Sequence, residues 1–104
     1  MKTEDLAREV LSKLTDEGRT LATAESCTGG LLGKLLTDVP GASNAYKGGV
    51  ISYVNEVKHR LLGVEQETLD ICTAVSRETA HEMARGARER CGADCGVSVT
   101  GLAG

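Results

Sequence analysis

The sequence has no phenylalanine or tryptophan, and its aromatic residues are limited to Tyr46 and Tyr53. The hydrophobic core must therefore be built from aliphatic side chains. Without aromatic platforms, recognition of single-stranded nucleic acid by base stacking is disfavoured. Proline occurs once, and 40% of the 104 residues are hydrophobic and 26% charged. This balance excludes collagen-like and disordered classes and predicts one globular domain.

A surplus of positive charge is also missing. Twelve Lys and Arg residues against fifteen Asp and Glu residues give a net charge of −3, so nucleic acid is not expected as a partner. No apolar run approaches the roughly 20 residues of a membrane span, so no membrane partner is expected either. The acidic N-terminal segment Met1–Asp5 leads into a helical pattern instead of an apolar signal region, which favours a cytoplasmic location.

Metal-binding patterns are absent as well. The four cysteines do not have the spacing of a zinc ribbon or finger, and just Cys91 and Cys95 lie close together. We expect reduced thiols in the core or at helix ends, with no metal and no cofactor. The two histidines, His59 and His81, fall among charged residues of helical segments, which predicts exposed positions and disfavours a Ser-His-Asp triad.

Helical and strand patterns alternate along the chain. Apolar residues at helical spacing predict helices through 6–14, 31–36, 57–62 and 80–87. Runs of small and β-branched residues predict strands at 20–24, 48–53 and 95–100. The segment 64–73 is predicted to be a connector. The order α, β, α, β, α, α, β predicts a layered α/β domain with short connections.

Several residues are predicted to begin or end these helices. Thr3, Asn55 and Ser76 are candidate N-caps, because their side chains can accept hydrogen bonds from the first helical turn. Gly63 and Gly92 are candidate C-terminal stops, since glycine tolerates the left-handed conformation that ends many helices.

The loops that follow the predicted strands are where ligands usually bind in α/β sheets. In the first loop, Ser26 lies between a strand and a helix, beside backbone N–H groups that could hold an oxyanion or a phosphate. Alternatively, Ser26 or Thr28 simply caps the helix while two glycines permit a tight turn. Cys27 is a rival nucleophile, and inward packing is its other possible role.

The second loop contains Tyr53 at a strand end and Lys58 in the first turns of the next helix. A partly buried lysine can serve as the base for a serine nucleophile, and Tyr53 could relay the proton or orient the lysine. The alternative is a solvated Lys58 and an edge Tyr53. The residues taken alone leave both interpretations open.

These loops resemble motifs of a known family. T-A-E-S-C-T-G-G at 23–30 and G-G-V-I-S-Y-V-N-E-V-K at 48–58 closely resemble motifs of the CinA C-terminal domain family. T-A-V-S at 73–76 is similar to the family's G-A-V-S, with Thr in place of Gly, and S-V-T-G-L-A-G at 98–104 is similar to its S-x-[ST]-G-[IL]-A-G segment. The family covers stand-alone nicotinamide-nucleotide amidases and the C-terminal half of competence/damage-inducible CinA proteins.

The resemblance implies a three-layer α/β/α sandwich that hydrolyses the carboxamide of nicotinamide mononucleotide. The products would be nicotinate mononucleotide and ammonia, in pyridine-nucleotide salvage, with no metal or cofactor. Carried over by position, Ser26 would be the nucleophile, Lys58 its base and Tyr53 an assisting residue. The expected partner is therefore a small-molecule nucleotide.

The remaining site residues are expected to bind the substrate. Backbone amides in the turn after Ser26 are our candidates for the oxyanion or phosphate, and two residues after the last strand are candidates for the pocket wall: Thr28, Gly29, Gly30, Thr100 and Gly101.

Family domains continue beyond the A-G at 103–104, so residues 1–104 are expected to correspond to the N-terminal two-thirds of one CinA C-terminal-like domain. This leaves two other functions open. One is a catalytically inactive CinA-like binding or oligomerisation module, which would form a homo-oligomer through an unpaired strand edge. The other is a serine hydrolase that acts on a different small amide.

Overall fold

A computed structural model describes residues 2–102, and a three-stranded parallel sheet lies at its centre. Strands β1 (Leu21–Glu25), β2 (Tyr46–Ile51) and β3 (Cys95–Val99) are arranged in the order β2-β1-β3. All five residues of β1 are buried. Because β1 has a neighbour on each side and helices on each face, its polar residues Thr23 and Glu25 are buried as well, and both form hydrogen bonds inside the protein.

Five α-helices and one short 3-10 helix surround this sheet in the described part of the chain. They are α1 (Thr3–Asp16), α2 (Leu31–Thr37), the 3-10 helix Ala42–Asn44, α3 (Asn55–Leu62), α4 (Gln66–Cys72) and α5 (Arg77–Cys91). No helix within residues 2–102 has the length and apolar content needed to cross a bilayer.

Two aliphatic clusters, one on each face of the sheet, confirm the predicted three-layer α/β/α arrangement and the aliphatic core. The first joins β1 to α3, α4 and α5 through buried residues that include Ala22, Leu69 and Met83. The second joins β1 to α1 and α2 through buried residues that include Leu11 and Leu36. Helices thus cover both faces of the sheet and bury apolar side chains between the layers.

Close approach of α5 to the rest of the core depends on two glycines. A Cβ atom at Gly86, inside α5, would overlap the carbonyl of Leu62 at the end of α3. A Cβ atom at Gly96, in β3, would overlap the carbonyl of Ala84 in α5. Both positions bring backbone against backbone, so any larger residue there must push an element away.

The predicted connector 64–73 is wrong, since it contains α4. The helix is only seven residues long and buries just Leu69, too little for a periodic signal in the sequence. A residue of α5 holds its start: the Glu82 carboxylate accepts hydrogen bonds from the Glu65 N–H (2.8 Å) and the Thr68 hydroxyl (2.7 Å). A tertiary contact therefore stabilises this helix where local sequence does not.

The helix boundaries confirm three predictions and correct two. Ser76 caps α5, because its Oγ accepts a hydrogen bond from the Thr79 N–H at 3.1 Å. Gly63 and Gly92 end α3 and α5 in the left-handed conformation. Thr3 and Asn55 do not act as N-caps: each is the first residue of its helix, and the preceding residue occupies the cap position without a side-chain hydrogen bond.

Thr73, after α4, has an unusual backbone conformation, with φ 70° and ψ 173°. This is the position where the sequence has Thr in place of the family's Gly. A β-branched residue at positive φ is strained, typically by about 1–3 kcal/mol. Its carbonyl is fixed by hydrogen bonds from the Ser76 hydroxyl (3.0 Å) and the buried Thr79 hydroxyl (2.7 Å), which hold the strained conformation in place.

We predict that Thr73→Gly raises the free energy of unfolding by about 1 kcal/mol, because relief of the strain exceeds the extra entropy that glycine adds to the unfolded chain. Urea denaturation of both chains measures the difference. Thr37→Gly, at the end of α2, is the matched control and should be destabilising. Equal destabilisation by the two substitutions would contradict the prediction.

Candidate active site

The carboxyl ends of the three parallel strands meet at one edge of the sheet. Ser26 follows β1 and donates its backbone N–H to the carbonyl of Val99 in β3 at 3.1 Å. Ser52 follows β2 and donates its N–H to the carbonyl of Glu25 in β1 at 2.7 Å. These bonds fix the first residue of two loops directly onto the neighbouring strands, as the prediction of a site at this edge requires.

Lys58 reaches this edge from α3. Its Nζ lies 3.0 Å from the Ser26 Oγ, within hydrogen-bonding distance. Both side chains are buried: Ser26 is 5% exposed and Lys58 1%. The structure thus brings together the predicted nucleophile and base, which lie 32 residues apart in sequence.

The other neighbours of the Lys58 Nζ are two backbone carbonyls, those of Ser52 at 2.9 Å and Tyr53 at 3.0 Å. A protonated lysine has three N–H donors, so it can bond both carbonyls and the Ser26 oxygen. A neutral lysine has two N–H groups and one lone pair. Because carbonyls can only accept, the lone pair of the neutral amine is left to accept the proton of the Ser26 hydroxyl.

The environment of Lys58 favours this neutral form. Burial lowers the pKa of Lys58, because desolvation disfavours the charged ammonium, while the electrostatic influence of Cys27 acts in the opposite direction and raises it. The net pKa lies below the usual value for lysine. A lysine of this kind can act as a base closer to neutral pH than a solvated one.

The backbone carbonyl of Tyr53 accepts the hydrogen bond from Lys58. The side chain of Tyr53 is 66% exposed, and among residues 2–102 its hydroxyl makes no hydrogen bond to Ser26 or Lys58. An assisting role of the Tyr53 side chain stays a prediction, whereas the main chain of Tyr53 already orients the lysine.

The turn after Ser26 is tight, with Gly29 at φ 61° and Gly30 at φ 110°. The N–H of Gly29 donates to the Ser26 carbonyl and the N–H of Gly30 to the Glu25 carboxylate, both at 3.1 Å. The N–H groups of Cys27 and Thr28 have no acceptor in the part of the chain that the structure describes. Of the amides in this turn, these two are therefore the ones free to hold a developing oxyanion.

Glu25 is a site residue that the sequence analysis did not identify. It is 3% exposed, and its carboxylate accepts hydrogen bonds from the Thr28 hydroxyl (2.7 Å) and from the N–H groups of Leu32 (2.9 Å) and Gly33 (2.8 Å), besides that of Gly30. A signal was available: an acidic residue shortly before a glycine-rich helix start can neutralise the helix N-terminus.

The hydrogen bonds of Glu25 determine its ionisation. Burial raises the pKa of Glu25, but the hydrogen bonds from Thr28, Gly33, Leu32 and Gly30 lower it further than burial raises it, so the net pKa is below the usual value. The carboxylate therefore stays ionised at neutral pH and stabilises the start of α2.

Because the pKa of Glu25 is lower in the folded than in the unfolded chain, its contribution to stability is present above the unfolded value of about 4.3 and is lost as the pH falls through the folded pKa. We predict that the free energy of unfolding falls more steeply below about pH 4.3 in the wild type than in Glu25→Gln. Urea denaturation at a series of pH values measures the two slopes. Identical slopes would contradict the prediction.

The last predicted site residues lie after β3. The Thr100 hydroxyl donates to the Ala74 carbonyl at 2.8 Å, which ties this loop to the segment after Thr73. A Cβ atom at Gly101 would lie 3.4 Å from the Cys27 Sγ. Gly101 thus lies beside Cys27, whereas Thr100 contacts the loop before α5, and among residues 2–102 neither makes a hydrogen bond to Ser26 or Lys58. Their role as a pocket wall stays a prediction.

Other candidate chemistries find less support in the described residues. His59 and His81 are exposed on their helices, as predicted. The four cysteines are free thiols with intermediate burial. Within residues 2–102, no cluster of three His, Cys, Asp or Glu side chains could hold a metal ion.

The sequence and structure of the chain are similar to those of named proteins. A CinA-like protein of Synechocystis sp. is 52% identical over 101 residues, which are 97% of this chain and 24% of that protein. A CinA-like protein of Leptospira borgpetersenii is 54% identical over 102 residues, which are 98% of this chain and 24% of that protein. The chain thus spans about a quarter of the length of these curated relatives.

Solved structures match the fold closely. The competence damage-inducible protein A of Klebsiella pneumoniae superposes with a TM-score of 0.97 at 38% identity, over 100% of this chain and 65% of that chain. The competence/damage inducible protein of Agrobacterium tumefaciens gives a TM-score of 0.91 at 44% identity, over 98% of this chain and 62% of that chain. The family model for the CinA C-terminal domain matches residues 3–104. The protein therefore belongs to the CinA C-terminal domain family.

Proposed function

We propose that this domain is a serine amidohydrolase, with Ser26 as the nucleophile and Lys58 as its base, that converts nicotinamide mononucleotide to nicotinate mononucleotide and ammonia. One observation carries the proposal: the buried Lys58 Nζ lies 3.0 Å from the Ser26 Oγ while two carbonyls occupy its other bonding directions. Such a serine and base in contact are the signature of nucleophilic catalysis.

In the first half of the reaction, the Ser26 Oγ would attack the carboxamide carbon, and the neutral Lys58 Nζ would take the hydroxyl proton. The new C–O bond converts the carbonyl oxygen into an oxyanion. The N–H groups of Cys27 and Thr28 have no acceptor among residues 2–102 and follow the nucleophile directly in the chain, so they are suited to stabilise this charge. Lys58 would then pass its proton to the amide nitrogen, and ammonia would leave as the C–N bond breaks.

In the second half, a water molecule would attack the nicotinoyl ester on Ser26. The neutral Lys58 would accept a proton from this water and return it to the Ser26 Oγ as the ester bond breaks. The product forms as a carboxylic acid, whose proton passes to the released ammonia, so that the final products are a carboxylate and an ammonium ion, and both catalytic side chains are restored. Throughout the cycle the Ser52 and Tyr53 carbonyls can keep Lys58 in place, because they accept hydrogen bonds from both its neutral and its charged form.

The choice of substrate rests on the family. Membership in the CinA C-terminal domain family supports a nucleotide amide from pyridine-nucleotide salvage, and a cytoplasmic location is part of the same proposal. The geometry itself supports amide hydrolysis in general, so a different small amide is the alternative that a substrate panel must exclude.

Replacement of either catalytic side chain should abolish turnover. We predict that Ser26→Ala and Lys58→Met each lower kcat for ammonia release from nicotinamide mononucleotide by about 10³-fold or more, and that the double variant is little worse than either, because the pair acts as a unit. Lys34→Met, at an exposed ion pair with Asp38, is the matched control. A panel of nucleotide and non-nucleotide amides tests the substrate. Activity of Ser26→Ala equal to that of the wild type would contradict the mechanism.

The pH dependence should report the ionisation of Lys58. Because the base must be neutral, kcat/KM should rise with pH and level off above the pKa of Lys58, which burial lowers. We predict that the midpoint of this rise lies below the ordinary lysine value of about 10.4. Initial rates across a pH series, with separate checks that the protein stays folded, measure it. A rate that falls over the same range would be inconsistent with a lysine base.

The oligomerisation module is a second candidate, favoured by an apolar groove. Leu6, Val10, Leu35 and Val97 line it between α1, α2 and β3, and Leu6 and Val97 are 53% and 43% exposed. The outer edge of β3 is unpaired in the sheet that residues 2–102 form. Groove and edge together could associate with a second copy.

This candidate predicts a dimer of about twice the chain mass of 10.9 kDa, detected by light scattering, because two unpaired edges can join into one continuous sheet. Val97→Lys places a charge in the groove and should return the protein to a monomer. Wild-type protein that remains monomeric at all concentrations rules this association out, whatever the outcome for catalysis.

A further inference from the structure

Glu25 holds the turn around Ser26 through both its side chain and its main chain. The carboxylate receives four hydrogen bonds from the segment that follows Ser26, from residues 28, 30, 32 and 33. The carbonyl receives two from Ser52, one from its N–H at 2.7 Å and one from its hydroxyl at 3.2 Å. Ser52 in turn offers its own carbonyl to Lys58. Glu25 therefore connects the turn that contains Ser26 to Ser52, whose carbonyl accepts a hydrogen bond from Lys58.

The carboxylate also determines which backbone N–H groups remain free. It accepts hydrogen bonds from the N–H groups of Gly30, Leu32 and Gly33 at the start of α2. The positive N-terminal end of this helix is therefore already neutralised by the Glu25 carboxylate. The N–H groups of Cys27 and Thr28 stay without an acceptor among residues 2–102. The start of α2 is thereby closed to a substrate anion, and the free donors lie directly beside Ser26.

We infer that Glu25 is a positioning residue for amide hydrolysis at Ser26: it orients the oxyanion donors of Cys27 and Thr28 and the carbonyl that directs Lys58, without touching the substrate. The inference rests on the proposed function. It follows from the two sets of hydrogen bonds, because the carboxylate ties residues 28, 30, 32 and 33 to the end of β1 and the carbonyl ties Ser52 to the same residue.

Glu25→Gln tests this inference, since glutamine keeps the size of the side chain but removes the charge and places an NH2 group against N–H donors. An oxyanion exists only after attack, so weaker positioning of its donors should affect kcat more than KM. We expect kcat to fall by about 10- to 100-fold, less than the 10²–10³ lost when a donor is removed outright, with KM changed by less than about twofold.

Glu82→Gln is the matched control. Glu82 holds the start of α4 in the same manner, through the Glu65 N–H and the Thr68 hydroxyl, and among residues 2–102 it makes no hydrogen bond to the Ser26 turn. It should lose comparable stability while its kcat stays at the wild-type value. An equal loss of kcat in both variants, or a wild-type kcat in Glu25→Gln, would overturn the inference.

Thr28→Val covers the case in which Glu25→Gln does not fold. It keeps Glu25 and the backbone and removes one donor to the carboxylate, so a smaller fall in kcat at unchanged KM is expected, and an unchanged kcat would count against the inference.

Amide resonances separate the inference from the proposed function. If the wild-type chain releases no ammonia, the proposed function fails, and the ¹H–¹⁵N signals of Cys27 and Thr28 still test the positioning. Both signals should move in Glu25→Gln and stay in place in Glu82→Gln. If Glu25→Gln does not fold, the Cys27 signal is compared between the wild type and Thr28→Val. Unchanged signals in the variant that folds would overturn the inference.

Discussion

The burial of Lys58 is the constraint on which the site depends. An ammonium group withdrawn from water must find acceptors, and the Lys58 Nζ finds three: one hydroxyl after β1 and two carbonyls after β2. These partners are in reach only if β1 and β2 pair in the observed register, in which Glu25 lies opposite Ile51. The same three hydrogen bonds fix the position of α3, because Lys58 belongs to this helix and its Nζ must reach the ends of β1 and β2. Sheet register, helix position and the proposed chemistry are thus parts of one arrangement.

The second buried ionisable side chain, Glu25, is kept apart from the first. A carboxylate paired with Lys58 would favour the charged ammonium and raise the pKa of the base. Instead, the charge of Glu25 is satisfied by a hydroxyl and three N–H groups of the next segment. The oxygens that the Lys58 Nζ bonds within the described residues are all neutral. Burial can then lower the pKa of the lysine. The two buried ionisable side chains near the end of β1 therefore have separate roles: Glu25 stabilises the turn, and Lys58 is suited to proton transfer.

Much of the architecture could be predicted from local patterns, and the exceptions have clear physical causes. The three strands and four of the helices follow from side-chain periodicity, and Ser76, Gly63 and Gly92 mark helix ends by their own chemistry. Helix α4 could not be predicted, because a carboxylate of α5 supports its start. The caps expected at Thr3 and Asn55 were wrong because the helices begin at these residues, one position earlier than the pattern indicated. The exact end of a helix depends on a few local contacts, whereas the periodicity that predicts the helix extends over its whole length.

For the site, the sequence by itself determined the residue types and the three loops that contain them, and its motifs pointed to the family. It left open whether Ser26 is a helix cap and whether Lys58 is solvated, since a local pattern does not reveal burial. Only the tertiary structure decided that Lys58 is buried beside Ser26, that Tyr53 contributes its carbonyl to the lysine, and that Glu25 occupies the start of α2. The reason is physical: hydrogen bonding and desolvation depend on atoms brought together from distant parts of the chain, and only the folded chain brings them together.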